Sequence, residues 1–128
     1  MGYDLSNQKT KEDFRWTEFF WVKVLKLAEK NGWRAKGTTI PRDYDRPDWD
    51  GNYYYNSGEI VEAEDALNLA EALTKSLATL PKEDIPLPKP NTKEYDQIPL
   101  EQFFSGSNGR KSLEDFIAFC RKGSFEIG

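Results

Sequence analysis

The chain has 128 residues, a net charge of −4 at pH 7, 31% charged and 14% aromatic residues, one cysteine and no histidine. That length predicts a single globular domain over 1–128 with a real core, and the composition is not that of a disordered chain. Without histidine there is no Ser-His-Asp triad, no Cys-His pair and no His-ligated zinc, and the acidic excess argues against nonspecific nucleic-acid binding.

The opening "MGYDLSNQKTKEDF" is polar and lacks the apolar stretch of a secretory signal. "MGYDLS" fits the myristoylation pattern M-G-x-x-x-[ST], which is outweighed by the reading of an ordinary chain start. The longest strongly apolar run, "FFWV", is far too short to span a membrane. A first helix is predicted over 13–31, with Asp13 as N-cap and Gly32 just past its end. Phe14, Trp16, Phe20, Trp21, Val24, Leu25, Leu27 and Ala28 cover one half of its wheel. Phe19 and Val22 fall in the polar half, which makes them interface candidates unless a loop of the same chain covers them.

Residues 33–51 show no periodicity and are read as a long ordered loop, an uncommon feature that is often functional. Its second half, "DYDRPDWDGNYYY", sets acids among aromatic rings. An EF-hand is excluded, because placing Gly51 at position 6 puts Arg46 and Ser57 where acidic ligands belong. Asp43, Asp45, Asp48, Trp49, Asp50, Tyr53 and Tyr55 remain as ligand-binding candidates. Ring faces and carboxylates suit a sugar or a cation, and paired acids could hydrolyse a glycosidic bond. Against this stands a purely structural turn, with Arg42 and Arg46 neutralising some of the acids. "NYYYNSGEIVE" is read as a β-hairpin leading into a second helix over 63–79. That helix carries Ala63, Ala66, Ala70, Leu73, Leu77 and Leu80 as a narrow stripe, places Glu62, Glu64 and Asp65 at its positive end, and stops at Pro81.

Residues 81–99 hold five prolines and are read as a stiff crossover on the surface, with docking of "PLPKP" to a proline-binding domain as the less favoured reading. "PLEQFF" is predicted to form a short helix ending at Gly106, and "GSNGRK" a loop. Ser112 would then start the third principal helix in a capping box with Asp115. Arg110, Lys111 and Ser112 are anion-binding candidates at that helix start, although the spacing is not that of a phosphate loop. Leu113, Phe116, Ile117 and Cys120 form its apolar stripe, which marks Cys120 as a buried structural thiol. "SFEI" would add a tail or an edge strand.

The start "MGYDL", the Trp-rich first helix, "YNSGE" before an Ala/Leu helix and the end "FIAFCRKGSFEI" together resemble a group of small uncharacterised bacterial and phage-related proteins that begin M-G-x-D-L and end near F-C-R-x-G-G-F-E-I. Ser124 stands in place of that pattern's second Gly. The resemblance implies no activity; it implies a bacterial cytoplasmic protein whose two chain ends pack on the domain.

The expectation is therefore a mainly α fold (α+β with minor β): three principal helices, one short helix and a small hairpin before the second long helix. The expected function is a non-enzymatic binding or protein-interaction module, working as a homo-oligomer or with a protein partner. No cofactor, metal, nucleic acid or membrane is expected. The alternative is a carboxylate-based hydrolase or a sugar- or cation-binding protein using residues 43–55.

Overall fold

The computed structural model describes residues 2–89 and 92–128. Met1, which opens the acylation pattern, and Pro90, the last proline of "PLPKP", lie outside the described residues. In chain order the elements are β1 (Gly2–Asn7), β2 (Asp13–Thr17), α1 (Glu18–Lys30), β3 (Glu59–Val61), α2 (Ala63–Ser76), the single turn α3 (Lys93–Asp96), α4 (Gly106–Arg121) and β4 (Phe125–Ile127). Short 3-10 turns lie at Leu77–Thr79 and Leu100–Phe104.

The architecture is α+β, with a four-stranded antiparallel sheet in the order β2-β1-β4-β3, and not mainly α with a minor hairpin. The helix expected over 13–31 begins at Glu18, because residues 13–17 alternate polar and apolar with a period of two. Phe14 and Trp16 pair across the ladder with Leu5 and Tyr3. Thr17, not Asp13, is the N-cap, its hydroxyl accepting from the Phe20 amide at 3.2 Å. The other end matches the sequence reading: Asn31 caps the helix and Gly32 follows with φ of 102°.

The expected hairpin over "NYYYNSGEIVE" does not form. Residues 52–55 form no strand, and β3 pairs instead with β4, Val61 opposite Phe125 and Glu59 opposite Ile127. The two chain ends do pair, with Leu5 opposite Ile127 and Asn7 opposite Phe125. This makes β4 an inner strand rather than an edge.

The start of the last principal helix also differs. "GSNGRK" is its first six residues and not a loop, so Ser112 caps nothing. Glycine-rich sequence disfavours a helix locally, but packing overrides propensity here. Gly106 donates its amide to the Pro81 carbonyl at 3.1 Å, and Gly109 lies so close to Phe104 that a Cβ would stand 2.5 Å from its carbonyl carbon. Residues 81–89 form no regular structure and run past the same corner, where the Ile85 amide donates to Ser105 Oγ at 3.3 Å.

One face of the sheet is buried through Tyr3, Leu5, Trp16, Val61, Phe125 and Ile127, while Asp4, Arg15 and Glu126 look out. α1 and α4 cover the buried face, and α2 packs against both. The centre of the core is Phe116. Its ring lies 5.3 Å from Phe14, 5.6 Å from Trp16, 5.9 Å from Trp21 and 6.3 Å from Phe125, which joins both layers. Such aromatic contacts add to the burial of the ring itself.

Phe116→Ala therefore leaves a cavity between the layers and costs about 3–5 kcal/mol. Urea unfolding checks this; a loss under about 1 kcal/mol contradicts this placement of Phe116.

Candidate functional site

The loop over 33–55 has a fixed neck and a projecting tip. At the neck the Thr38 amide donates to the Gly51 carbonyl at 3.0 Å, and Trp49 Nε1 donates to the Thr38 carbonyl at 3.0 Å. Gly51, at φ of 76°, lets the two sides meet; a Cβ there would lie 3.2 Å from the Gly37 Cα.

Beneath the neck is a buried carboxylate that the sequence reading had treated only as a helix-dipole residue. Asp65, in the first turn of α2, is fully buried. Its Oδ1 accepts from Trp33 Nε1 at 2.9 Å and from the Lys36 amide at 3.5 Å, and its Oδ2 accepts from the Tyr53 hydroxyl. The Tyr53 oxygen in turn accepts from the Gly37 amide at 2.9 Å. Burial, then the bond to Asp65, pushes the Tyr53 phenol well above its ordinary value. Tyr53 is thus a structural post, 5% exposed, and not a ligand residue. A helical wheel places Asp65 on the side of Leu69, Ala72 and Ser76, all buried, and that was the available signal.

Glu59 is the second buried carboxylate missed from sequence. It accepts from the backbone amides of Tyr55 at 2.7 Å, Asn56 at 3.1 Å and Ser57 at 2.9 Å. This closes the turn in which Asn56 and Gly58 both take positive φ, and the hairpin ladder has no amides left there to use.

No three of the four loop aspartates come together in a group that could hold a metal ion. Asp48 accepts from the Tyr44 hydroxyl at 2.7 Å, which holds its carboxyl below the usual range. Asp50 accepts from the Asn52 side chain at 2.6 Å and the Asn52 amide at 3.1 Å, with the same effect. Asp43 and Asp45 are exposed and line a groove of about 450 Å³ with Tyr44, Arg46 and Tyr55. Tyr44, Trp49 and Tyr55 meet edge to face at 5.2–5.7 Å. Arg46 forms none of the ion pairs found among the described residues, although its charge also favours the Asp48 carboxylate. Its guanidinium lies 5.6 Å over the Tyr44 ring, and a hydrogen bond with Tyr55 raises its already high pKa. A cation of the chain itself therefore lies over the Tyr44 ring. Among the described residues no group of three acidic or thiol side chains could hold a metal ion.

The anion-binding candidates are separated as well. Arg110 donates to the Leu77 carbonyl at 2.9 Å, Lys111 pairs with Asp115 at 3.4 Å, and Ser112 Oγ donates back to the Asn108 carbonyl at 3.0 Å. The positive end of α4 lies one turn earlier and meets Asp84, whose Oδ1 would stand 1.6 Å from a Cβ on Gly106. Cys120 is fully buried, and burial pushes its thiol well above the ordinary value.

The interface candidates are placed differently. Phe19 is 38% exposed and Val22 half-buried, and with Thr17, Glu18 and Lys23 they line an open groove of about 550 Å³. The same chain covers Phe19 in part. Phe103, from the turn at Leu100–Phe104, packs on it at 5.4 Å, and Lys23 Nζ lies 5.2 Å over Phe19 and 5.0 Å over Phe103. No helix of the described residues is long and apolar enough to cross a membrane. No protein-family model, curated protein or solved structure matches this chain.

Two outcomes follow. Millimolar Ca²⁺ or Mg²⁺ leaves the melting temperature unchanged in a thermal-shift assay; a rise of several degrees contradicts the splayed loop. Stability also falls as pH rises above about 10, because the unfolded Tyr53 loses its proton there while the folded one keeps it. The loss is about 1.4 kcal/mol per pH unit for each such group, and it is absent below that pH. Urea titrations at stepped pH should show Tyr53→Phe with a correspondingly shallower alkaline slope.

Proposed function

We propose that the chain is a non-enzymatic interaction module that self-associates through the face formed by Phe19 and Val22. The observation that carries this reading is an aromatic side chain left exposed on a helix face, beside a half-buried Val22, in the open groove at the start of α1. Charge favours a second copy as the partner. Glu18 and Lys23 flank the apolar centre, and neither takes part in the ion pairs found among the described residues. In a twofold interface each patch meets its own image, an arrangement that can set Glu18 of one copy against Lys23 of the other. Chemistry elsewhere supports a binding role: the loop acids are dispersed, the one thiol is buried, and the sequence has no histidine. A reducing bacterial cytoplasm suits a chain with one buried, unpaired cysteine.

Multi-angle light scattering over a concentration series should show reversible association. Phe19→Glu and Val22→Glu should each weaken it by about tenfold or more, or ~1.4 kcal/mol. A strict monomer at every concentration contradicts this reading, as do two folded variants that associate like the parent.

A further inference from the structure

β2 is an edge strand of the sheet, and an edge offers its unpaired backbone groups to other chains. The opposite edge is partly covered, because the Thr39 amide donates to the Ile60 carbonyl of β3 at 2.9 Å. The Asn7 amide donates to the Glu12 carbonyl at 2.8 Å, which sets the phase of the β1–β2 ladder. Successive residues of an antiparallel strand bond to opposite sides. Phe14 and Trp16 therefore bond to β1, while Asp13, Arg15 and Thr17 turn their amides outward. β1 keeps the same phase on its other side, where Asp4 and Gly128 exchange bonds of 3.1 and 2.8 Å. Asp13, Arg15 and Thr17 are exposed, and their amides have no partner among the described residues. β2 also lacks the usual guards of an edge: it holds no proline and no lysine, and its register runs without a bulge.

A cleft of about 280 Å³ lies beside this edge. Trp16, Phe20, Phe103 and Phe104 form its apolar walls, with Asn108 and Ser112 from the first turns of α4. β2 is the only strand that contributes to the lining, and no lining residue is charged. A strand laid along β2 sets every second side chain on the Trp16 face of the sheet. The side chain next to Trp16 then lies over the first turns of α4, where the cleft is.

Charge decides between occupants. On the solvent face Asp13 has no ion pair among the described residues, and Arg15 has only the exposed one with Asp4. An antiparallel strand that complements them carries an acid opposite Arg15 and, two residues later, a base opposite Asp13. β2 of a second copy does so in one register, with Asp13 opposite Arg15 of the copy. That register sets Glu12 of the copy beside Trp16, where an uncharged cleft disfavours a carboxylate. A shift of two residues either way sets Arg15 against Arg15 or Asp13 against Asp13.

We propose that β2 takes up an extended peptide of another protein as a fifth, antiparallel strand. An aromatic side chain of that peptide fills the cleft beside Trp16, with an acid opposite Arg15 and a base opposite Asp13. Backbone bonds at Arg15 and Asp13 supply affinity, and the cleft and the two charges supply selectivity. The site does not rest on the association face.

The probe is acetyl-Thr-Phe-Glu-Val-Lys-amide, followed by amide exchange in assigned ¹H–¹⁵N spectra. At saturation the Asp13 and Arg15 amides should exchange at least about tenfold more slowly. N-methylation at the peptide's Glu removes a ladder donor, and Ala in place of its Phe leaves the cleft empty; each should weaken binding about tenfold. Exchanging its Glu and Lys should weaken it about threefold. Arg15→Pro removes an outward amide and leaves the bonds to β1 in place, as an edge strand tolerates. That variant should fold and not bind, while Val22→Glu should bind like the parent. Undiminished binding of the N-methyl peptide, or undiminished binding to Arg15→Pro, overturns the proposal. So does a millimolar titration that leaves the Asp13 and Arg15 amides unchanged. Protection of those amides that grows with protein concentration, with no peptide present, assigns the edge to a second copy and overturns the peptide as its occupant.

Discussion

Asp65 draws donors from both ends of the long loop onto one carboxylate. Trp33 and Lys36 approach from where the chain leaves α1, and Tyr53 from where the loop returns. Trp21 Nε1 donates to the Tyr53 carbonyl at 2.8 Å, so the same post is tied to α1. An unpaired charge at a fully buried position would cost several kcal/mol. Three donors and the positive end of α2 offset that cost, which makes a single geometry of the neck strongly preferred. The tip has no such anchor, and its aspartates turn to local partners or to water.

Glu59 repeats the device on a smaller scale. Its carboxylate gathers three consecutive amides, ends the loop at β3 and leaves β3 to pair with β4. Because β4 sits between β1 and β3, the last residues of the chain join the first strand to the third. The sheet is assembled from segments far apart in sequence, and Phe116 fills the space between it and the helices.

Features with a local cause were legible in the sequence. Ala66, Ala70 and Leu73 of α2, the end of α1 at Asn31 and Gly32, and the buried Leu113, Phe116, Ile117 and Cys120 of α4 all follow from helical spacing or capping chemistry, whereas Ala63 of the expected α2 stripe is exposed and α2 ends at Ser76. Residues 13–17 were hidden because Phe14 and Trp16 also fit a helical wheel with the run that follows, and only pairing with β1 decides between the two periods. The start of α4 was hidden because its glycines serve close packing against Phe104 and Asp84, which no local pattern reveals. Within the candidate site, the length and order of the loop were legible. The direction of its acids was not, since that depends on which neighbours capture them. Phe19 and Val22 were legible as apolar positions on a polar helix face, whereas the cleft beside Trp16 needs β2, α1 and α4 brought together.

The neck of the acidic-aromatic loop is thus held from below by Asp65, and the proposed association rests on the aromatic surface at the start of α1. Hydrogen exchange in the parent and in Asp65→Asn tests this most directly. In the parent, the Gly37 amide and the Trp33 indole proton should exchange as slowly as the core amides of α2. In Asp65→Asn they should exchange at least about tenfold faster while the β1–β4 amides stay protected. Unchanged protection of Gly37 and Trp33 in that variant would contradict the account, because the loop would then be held without the carboxylate.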